Sequence, residues 1–281
     1  MPRIGSIRPS VRLALLRWYR RCGRAGLPWR RKRSPYRTLV SEFMLQQTQV
    51  ERVVPAFEAF VVRFPTLASL AAARRADVLR AWRGLGYNAR AVRLHEVARI
   101  VVSEHGGRIP RDAEQLRALP GIGTYTAAAI RAFAFALDDL PIDVNIARVL
   151  HRLGRRARTA LGRGGYAVVS ALMDLGAHLC KRRNPDCVRC PIERYCEKKP
   201  LPARPRSAKG VRFRETARYA RGRIVDRLRE LPPGKRISLL DLHGDLAEII
   251  PERTPSEVRA LVVMLSRDGL VALDGDEVSL P

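Results

Sequence analysis

Four cysteines close together form the densest group of metal-binding side chains in the sequence. Cys180, Cys187, Cys190 and Cys196 are separated by six, two and five residues, so that one pair has the C-x-x-C spacing. Four thiolates at this spacing can converge on one soft metal centre, and spacing alone leaves a structural zinc and an iron–sulfur cluster equally open. We expect no disulfides among them, because the chain shows no secretory signal. Cys22 is interpreted as an ordinary thiol.

A second candidate site is the stretch Leu119–Asp143, which opens with the sequence Leu-Pro-Gly-Ile-Gly. Gly121 and Gly123 leave backbone N–H groups unobstructed by side chains, and the helix that follows adds the positive end of its dipole. The turn therefore suits a phosphate group. An ordinary joint between two helices would have the same composition, so the glycines alone do not decide between the two interpretations.

Two carboxylates, Glu42 and Asp143, stand in contrasting surroundings. Glu42 precedes Phe43 in an otherwise apolar helix, where removal from water favours the protonated form of a carboxyl group. Asp143 lies between a loop and a helix start, where N–H donors favour the ionised form. Such a pair predicts a general acid and a charge-stabilising carboxylate. The non-catalytic alternatives are a helix N-cap for Asp143 and a solvated helix face for Glu42.

The charge of the chain indicates a polyanionic partner. Its 281 residues include 53 Lys and Arg against 27 Asp and Glu, a formal net charge of +26, and such an excess favours salt-dependent nucleic-acid binding. Residues 237–281 differ, with three Arg, nine acidic residues and a net charge of −6. We therefore expect the DNA surface before residue 237, and a packing or protein-binding role for the tail. No run approaches the roughly 20 apolar residues of a membrane span, and we expect a cytoplasmic, nucleoid-associated protein.

The hydrophobic pattern divides the chain into three parts. Apolar residues recur at helical spacing over 1–197 with almost no alternating runs, which predicts an all-α region. Residues 198–214 are rich in Pro, Arg and Lys, which is typical of a linker. In 215–281, three helical segments precede two short strand-like runs around an Asp-Gly turn, which predicts a small winged-helix-like module.

Several motifs together resemble the MutY-type adenine DNA glycosylases of the helix–hairpin–helix, endonuclease III superfamily. The motifs are SEFMLQQTQV, GLGYNARAVRLH, LPGIGTYTAAAI and MDLGAHLC, and the resemblance covers roughly Val11–Cys196. It implies a two-lobed helical fold that binds double-stranded DNA as a monomer. It also implies that the loop 180–196, with its four cysteines, holds a [4Fe–4S] cluster whose role is structural.

The resemblance also assigns roles to the candidate catalytic residues. Glu42 falls on the acid that protonates the leaving adenine, and Asp143 on the carboxylate that stabilises the sugar as it becomes an oxocarbenium ion. Asn145 and Tyr125 fall on positions that hydrogen-bond in the active site. Endonuclease III has at the position of Tyr125 a lysine that forms a Schiff base and cuts the strand. A tyrosine cannot do this, so we expect an enzyme that only removes the base.

The DNA-binding residues that the resemblance implies belong to three groups. Gln47 and Tyr87 enter the base stack as the base is flipped out. Gly121 and Gly123 form the hairpin that binds the DNA backbone. Trp29 and Arg30 lie at the approach to the adenine pocket.

Three departures from the family pattern concern substrate choice. Asp143-Val144-Asn145 replaces the usual Asp-Gly-Asn, Tyr87-Asn88 replaces a doubled tyrosine, and the tail is too short and too helical for the usual Nudix-like domain that senses 8-oxoguanine. The expected activity is removal of adenine mispaired with 8-oxoguanine or guanine. A glycosylase for mismatched uracil, thymine or hypoxanthine is the alternative within the superfamily, and a non-catalytic protein that binds DNA lesions is the alternative outside it.

Overall fold

The computed structural model describes residues 10–203 and 212–281, and residues 204–211 of the expected linker (198–214) lie outside them. Within these ranges every helix is too short or too polar to cross a membrane. The α-helices are, in chain order, α1 (Val11–Cys22), α2 (Pro28–Arg31), α3 (Pro35–Leu45), α4 (Val50–Arg63), α5 (Leu67–Ala71), α6 (Arg75–Ala81), α7 (Ala89–Glu104), α8 (Ala113–Ala118), α9 (Thr124–Ala134), α10 (Val144–Leu153), α11 (Arg155–Leu161), α12 (Tyr166–His178), α13 (Ala217–Glu230), α14 (Leu239–Leu246) and α15 (Pro255–Arg267). Three short strands are β1 (Ile237–Ser238), β2 (Ala272–Asp274) and β3 (Glu277–Ser279).

The chain forms two compact units, each assembled from separated segments. The first unit contains 1–38, 111–118 and 122–205, and the second contains 39–110, 119–121 and 206–281. The prediction of a helical fold is confirmed. The predicted domains 1–197, 198–214 and 215–281 are each continuous in the chain, unlike these two units. They stay a prediction about function.

The first unit packs α1, α10 and α12 around one apolar core. Leu15, Val149 and Leu172 are among its buried residues. Asp174 of α12 is fully buried and forms ion pairs with Arg24 and Arg30, each with an N–O distance of 2.7 Å. Burial alone would raise the pKa of Asp174, but the hydrogen bond and charge of Arg30, reinforced by Arg24, hold it below its usual value. The pairing ties the segment after α1 to the core of this unit.

The second unit joins the tail to helices α4–α7. In the tail, α13, α14 and α15 bury Ile224, Leu242 and Val262 among themselves, and an antiparallel sheet of order β1-β3-β2 completes the module. The winged-helix-like assignment of this module stays a prediction.

Polar contacts fix the tail to the rest of the second unit. Arg229 of α13 is 8% exposed, and it donates to the Leu79 carbonyl and to Asn88 Oδ1, each at 2.9 Å. The Pro281 carbonyl accepts from the Ala76 N–H at 3.0 Å. The tail is therefore anchored beside the turn that precedes α7.

Arg90 of α7 is a buried guanidinium that connects two turns of the second unit. It donates to the Phe43, Met44 and Gln46 carbonyls on one side, and to the Leu85 and Gly86 carbonyls and the Thr48 hydroxyl on the other. The carbonyls of Phe43 and Met44 belong to the last turn of α3, which has no intrahelical donors for them. Burial lowers the pKa of Arg90 to about 10, which leaves it charged at neutral pH.

Replacement of Arg90 by methionine should destabilise the protein strongly. Arg90→Met removes the donors but leaves the carbonyls buried, which should lower the free energy of unfolding by about 3 kcal/mol. Urea denaturation followed by circular dichroism measures the change. Arg99→Met is the matched control, because Arg99 is exposed on the same helix, and it should change the value by less than about 0.5 kcal/mol. Equal effects of the two substitutions would contradict the assigned role of Arg90.

Candidate active site and cysteine loop

Asp143 is the N-cap of α10 and accepts three hydrogen bonds. Its Oδ1 accepts from the backbone N–H groups of Asn145 and Ile146 at 3.0 and 2.7 Å, and its Oδ2 accepts from Asn145 Nδ2 at 2.8 Å. The carboxylate is half-buried. The capping role expected as the alternative for Asp143 is thus present. It does not exclude chemistry, because the same N–H donors hold the carboxylate in one orientation.

Asn145 connects Asp143 to the cysteine loop through Arg148. Asn145 Oδ1 accepts from Arg148 Nη2 at 2.7 Å, which fixes the orientation of the Asn145 amide toward Asp143. Arg148 Nε donates in turn to the Cys180 carbonyl at 2.6 Å. The sequence analysis did not identify Arg148 as a partner of Asn145. Arg148 lies three residues after Asn145, on the same face of α10, and this spacing could have indicated the contact.

Glu42 is a buried carboxyl in the second unit. It is 8% exposed and lies in α3 beside Phe43 and Met44, which are fully buried. The expectation of a solvated helix face is therefore wrong for Glu42, because the residue is buried. The apolar surroundings inferred from its sequence neighbours stay a prediction.

Gly121 and Gly123 differ in what they require. Gly121 has φ +77°, and a Cβ there would lie 2.9 Å from Arg93 Cδ, so both conformation and space favour glycine. Gly123 has an extended backbone and open space around it, and it is the N-cap of α9. Nothing within the protein demands glycine at 123. A bare backbone at the start of a helix leaves room for a ligand to approach.

The remaining expected DNA-binding residues, and the catalytic candidate Tyr125, lie on several turns and helices. Gln47 and Tyr87 are exposed, adopt φ values of 55° and 47°, and line one cavity of the second unit. Tyr125 is 37% exposed on the first turn of α9, and Trp29 is half-buried in α2. The Arg30 side chain is only 8% exposed and is directed at Asp174. This pairing within the protein could not be predicted from the sequence.

The four clustered cysteines line one cavity of about 320 Å³ in the first unit. All four are free thiols, and burial raises the pKa of Cys190 to about 11. Arg152 of α10 donates to the Lys181 carbonyl at 2.7 Å and approaches Cys180 Sγ at 3.4 Å. In the part of the chain that the structure describes, no three His, Cys, Asp or Glu side chains are arranged to hold a single metal ion.

Comparisons with known proteins agree on one family. The model of the HhH-GPD superfamily of base excision DNA repair proteins matches residues 40–161. A protein of Mycolicibacterium smegmatis named adenine DNA glycosylase is 42% identical over 234 residues, which cover 77% of this chain and 79% of that protein. A solved thermostable thymine-DNA glycosylase has a TM-score of 0.59 at 29% identity, over 66% of this chain and 93% of its own. An endonuclease III–DNA complex, at 20% identity and a TM-score of 0.55 over 66% of this chain and 91% of its own, is similar in fold.

The capping role of Asp143 predicts different stabilities for two substitutions. An asparagine at 143 still accepts from the N–H groups of α10, so Asp143→Asn should lower the free energy of unfolding by less than about 1 kcal/mol. Asp143→Ala loses all three bonds and should cost about 2 kcal/mol. Thermal denaturation of both variants at matched pH measures the difference. Equal losses would mean that the cap contributes little to stability.

Proposed function

The chain belongs to the adenine DNA glycosylases of the HhH-GPD superfamily, and from that premise we propose that it removes adenine mispaired with 8-oxoguanine or guanine in duplex DNA. The reaction is hydrolysis of the N-glycosidic bond, and the protein acts as a monomer. The observation that carries the proposal is the contrast between two carboxyl groups. Glu42 is 8% exposed in a helix whose next two residues, Phe43 and Met44, are fully buried, whereas Asp143 is held by three N–H donors.

These two environments fit the two tasks of glycosidic cleavage. A buried carboxyl group can act as a general acid, so Glu42 is the acid that protonates the leaving adenine. A carboxylate fixed in place by hydrogen bonds can stabilise positive charge, so Asp143 is the group that supports the sugar as it becomes an oxocarbenium ion. Asn145 positions Asp143, because its amide is fixed by Arg148.

Tyr125 supports a reaction that stops at base removal. Its phenol offers a hydrogen bond but no amine, so the residue cannot form a Schiff base with the sugar and cut the strand. An abasic site is therefore the product. Gln47 and Tyr87 enter the base stack while the adenine is flipped out. The hairpin at Gly121 and Gly123 holds the DNA backbone, and Trp29 lies at the approach to the adenine pocket.

The cysteine loop fits a [4Fe–4S] cluster. Cys180, Cys187, Cys190 and Cys196 surround one cavity, and four thiolates are the usual ligand set of such a cluster. A bound cluster takes no part in hydrolysis and holds the loop in shape. Arg152 and Arg148 fix that loop to α10, the helix that Asp143 caps. We place the protein in the cytoplasm at the nucleoid, where its DNA substrate is.

A second candidate substrate is thymine or uracil in a mismatch with guanine. The structural likeness to a thermostable thymine-DNA glycosylase supports it. Glu42 favours adenine instead, because protonation helps a purine leaving group most.

Single-turnover base release on a panel of duplexes tests the proposal. The panel contains adenine opposite 8-oxoguanine or guanine, and uracil, thymine or hypoxanthine opposite guanine, each assayed with and without alkali. We expect adenine release, strand breaks only after alkali, and loss of release in Asp143→Asn with DNA affinity retained. Release of uracil or thymine alone would overturn the choice of substrate. An equal loss of DNA affinity in Asp143→Asn would show that Asp143 is structural.

The cysteine ligands predict iron content. Purified protein should contain about four iron atoms and four acid-labile sulfides per chain, with broad visible absorbance. Cys190→Ser should lose most of both, because a hydroxyl is a poor ligand for iron. Cys22→Ser is the matched control, since Cys22 is exposed and lies apart from the loop, and it should retain the full content. Zinc in place of iron and sulfide would contradict the assignment.

A further inference from the structure

Arg93 is an exposed arginine of α7 whose side chain lies across the turn at Gly121. A Cβ at Gly121 would lie 2.9 Å from Arg93 Cδ and 3.4 Å from Arg93 Cβ. Both residues belong to the second unit. The aliphatic part of the Arg93 side chain therefore packs on the Gly121 backbone, and this packing limits where its guanidinium can lie.

The ring of Phe43 packs against the same glycine. A Cβ at Gly121 would lie 3.3 Å from Phe43 Cε1. Phe43 is fully buried in α3 and directly follows Glu42. Gly121 therefore contacts a core residue on one hand and Arg93 on the other, so Arg93 has a defined place relative to the helix that contains Glu42.

The polar groups at this turn are donors without acceptors. In the part of the chain that the structure describes, Arg93 forms no ion pair, and Glu96, three residues further along α7, is not paired with it. The Gly121 N–H likewise donates to no acceptor among the described residues. Both residues are exposed, so a guanidinium and a backbone N–H are open to a ligand.

The chemistry of these groups selects an anion with oxygen acceptors. A guanidinium carries a full positive charge and pairs with phosphate oxygens through two N–H groups. A backbone N–H adds a donor but only a partial charge. A phosphodiester of DNA fits such a pair of donors, and it is the anion that the proposed function brings to the hairpin.

We propose that Arg93 binds a phosphate of the DNA backbone at the turn of Gly121, and that it thereby positions the bound strand relative to Glu42. This inference rests on the proposed function, and it adds a charged contact from α7 to the backbone groups of the hairpin. Contacts to phosphates fix the register of a protein on a duplex without reading its bases. Arg93 is therefore a positioning residue for base removal.

The same side chain connects the turn of Gly121 to the residues that enter the base stack. Arg93 lines a cavity of about 670 Å³ in the second unit, which residues 46–48 and 84–90 also line. A phosphate bound by Arg93 lies on the same surface as Gln47 and Tyr87. The strand is then held close to the point at which it is opened.

The salt dependence of DNA affinity tests this role. Fluorescence anisotropy measures the Kd of the purified full chain at several salt concentrations. One duplex carries a tetrahydrofuran abasic analogue opposite guanine, and the other is fully paired. Arg93→Gln should weaken binding of both duplexes about tenfold. It should also reduce the slope of log Kd against log salt by about 0.9, the contribution of one phosphate. Arg93→Lys should retain the slope, because it keeps the charge.

Arg99→Gln is the matched control for charge. Arg99 is exposed on the same helix, six residues further along, and its loss changes the net charge by the same amount. It should leave both the affinity and the slope unchanged. Thermal denaturation checks that each variant is folded.

Neutral phosphate analogues locate the contact. Single methylphosphonates are placed in turn along both strands of the duplex that carries the abasic analogue. At one or two adjacent positions, the analogue should weaken binding of the unaltered protein but weaken binding of Arg93→Gln much less. Additive effects at every position, or equal losses of affinity in Arg93→Gln and Arg99→Gln, would overturn the inference and leave the proposed function intact. The proposed function itself fails if the unaltered protein releases no adenine from any duplex.

Discussion

The buried guanidinium of Arg90 is the interaction on which the two turns that carry Gln47 and Tyr87 depend. It closes the last turn of α3, in which Glu42 lies, and it binds carbonyls in both turns that carry Gln47 and Tyr87. A charged group so deeply buried is tolerated only because nearly every donor has an acceptor. One arginine therefore fixes both the end of the helix that contains Glu42 and the strained backbone of two exposed residues.

In the first unit, arginine side chains likewise donate to backbone carbonyls, here near Asp143 and in the cysteine loop. Arg148 and Arg152 lie one turn apart on α10 and donate to carbonyls of the cysteine loop, and Arg148 also fixes the amide that holds Asp143. The cysteine loop and Asp143 are thereby parts of one hydrogen-bonded network. In the proposed function, a cluster held by the loop would act on Asp143 only through this network, because α10 is hydrogen-bonded to the loop.

The sequence predicted helices and motifs well and the partners of charged residues poorly. Helical periodicity, the capping residue Asp143 and the apolar sequence neighbours of Glu42 are local features, and local features can be read from a sequence. Arg30, Arg90 and Arg218 look alike in a chain with 53 basic residues, yet one pairs with a buried aspartate, one binds carbonyls and one lies between aromatic rings. Tertiary packing decides such roles. The net charge of the tail also pointed away from DNA binding. Its acidic end, residues 237–281, outweighs the basic helix α13, whose Arg218 donates to the Tyr87 hydroxyl.

The account joins Arg93 and the turn of Gly121 to the two turns that carry Gln47 and Tyr87 in a single DNA-binding surface, and hydrogen–deuterium exchange tests this most directly. Exchange is measured on the full chain, free and bound to a duplex with adenine opposite 8-oxoguanine. The account predicts that binding slows exchange together in residues 46–48, 84–88 and 119–121. A fully paired duplex of the same length should protect 119–121 nearly as well, because phosphate contacts do not depend on the bases. Protection of the two turns with no change in 119–121 would contradict it.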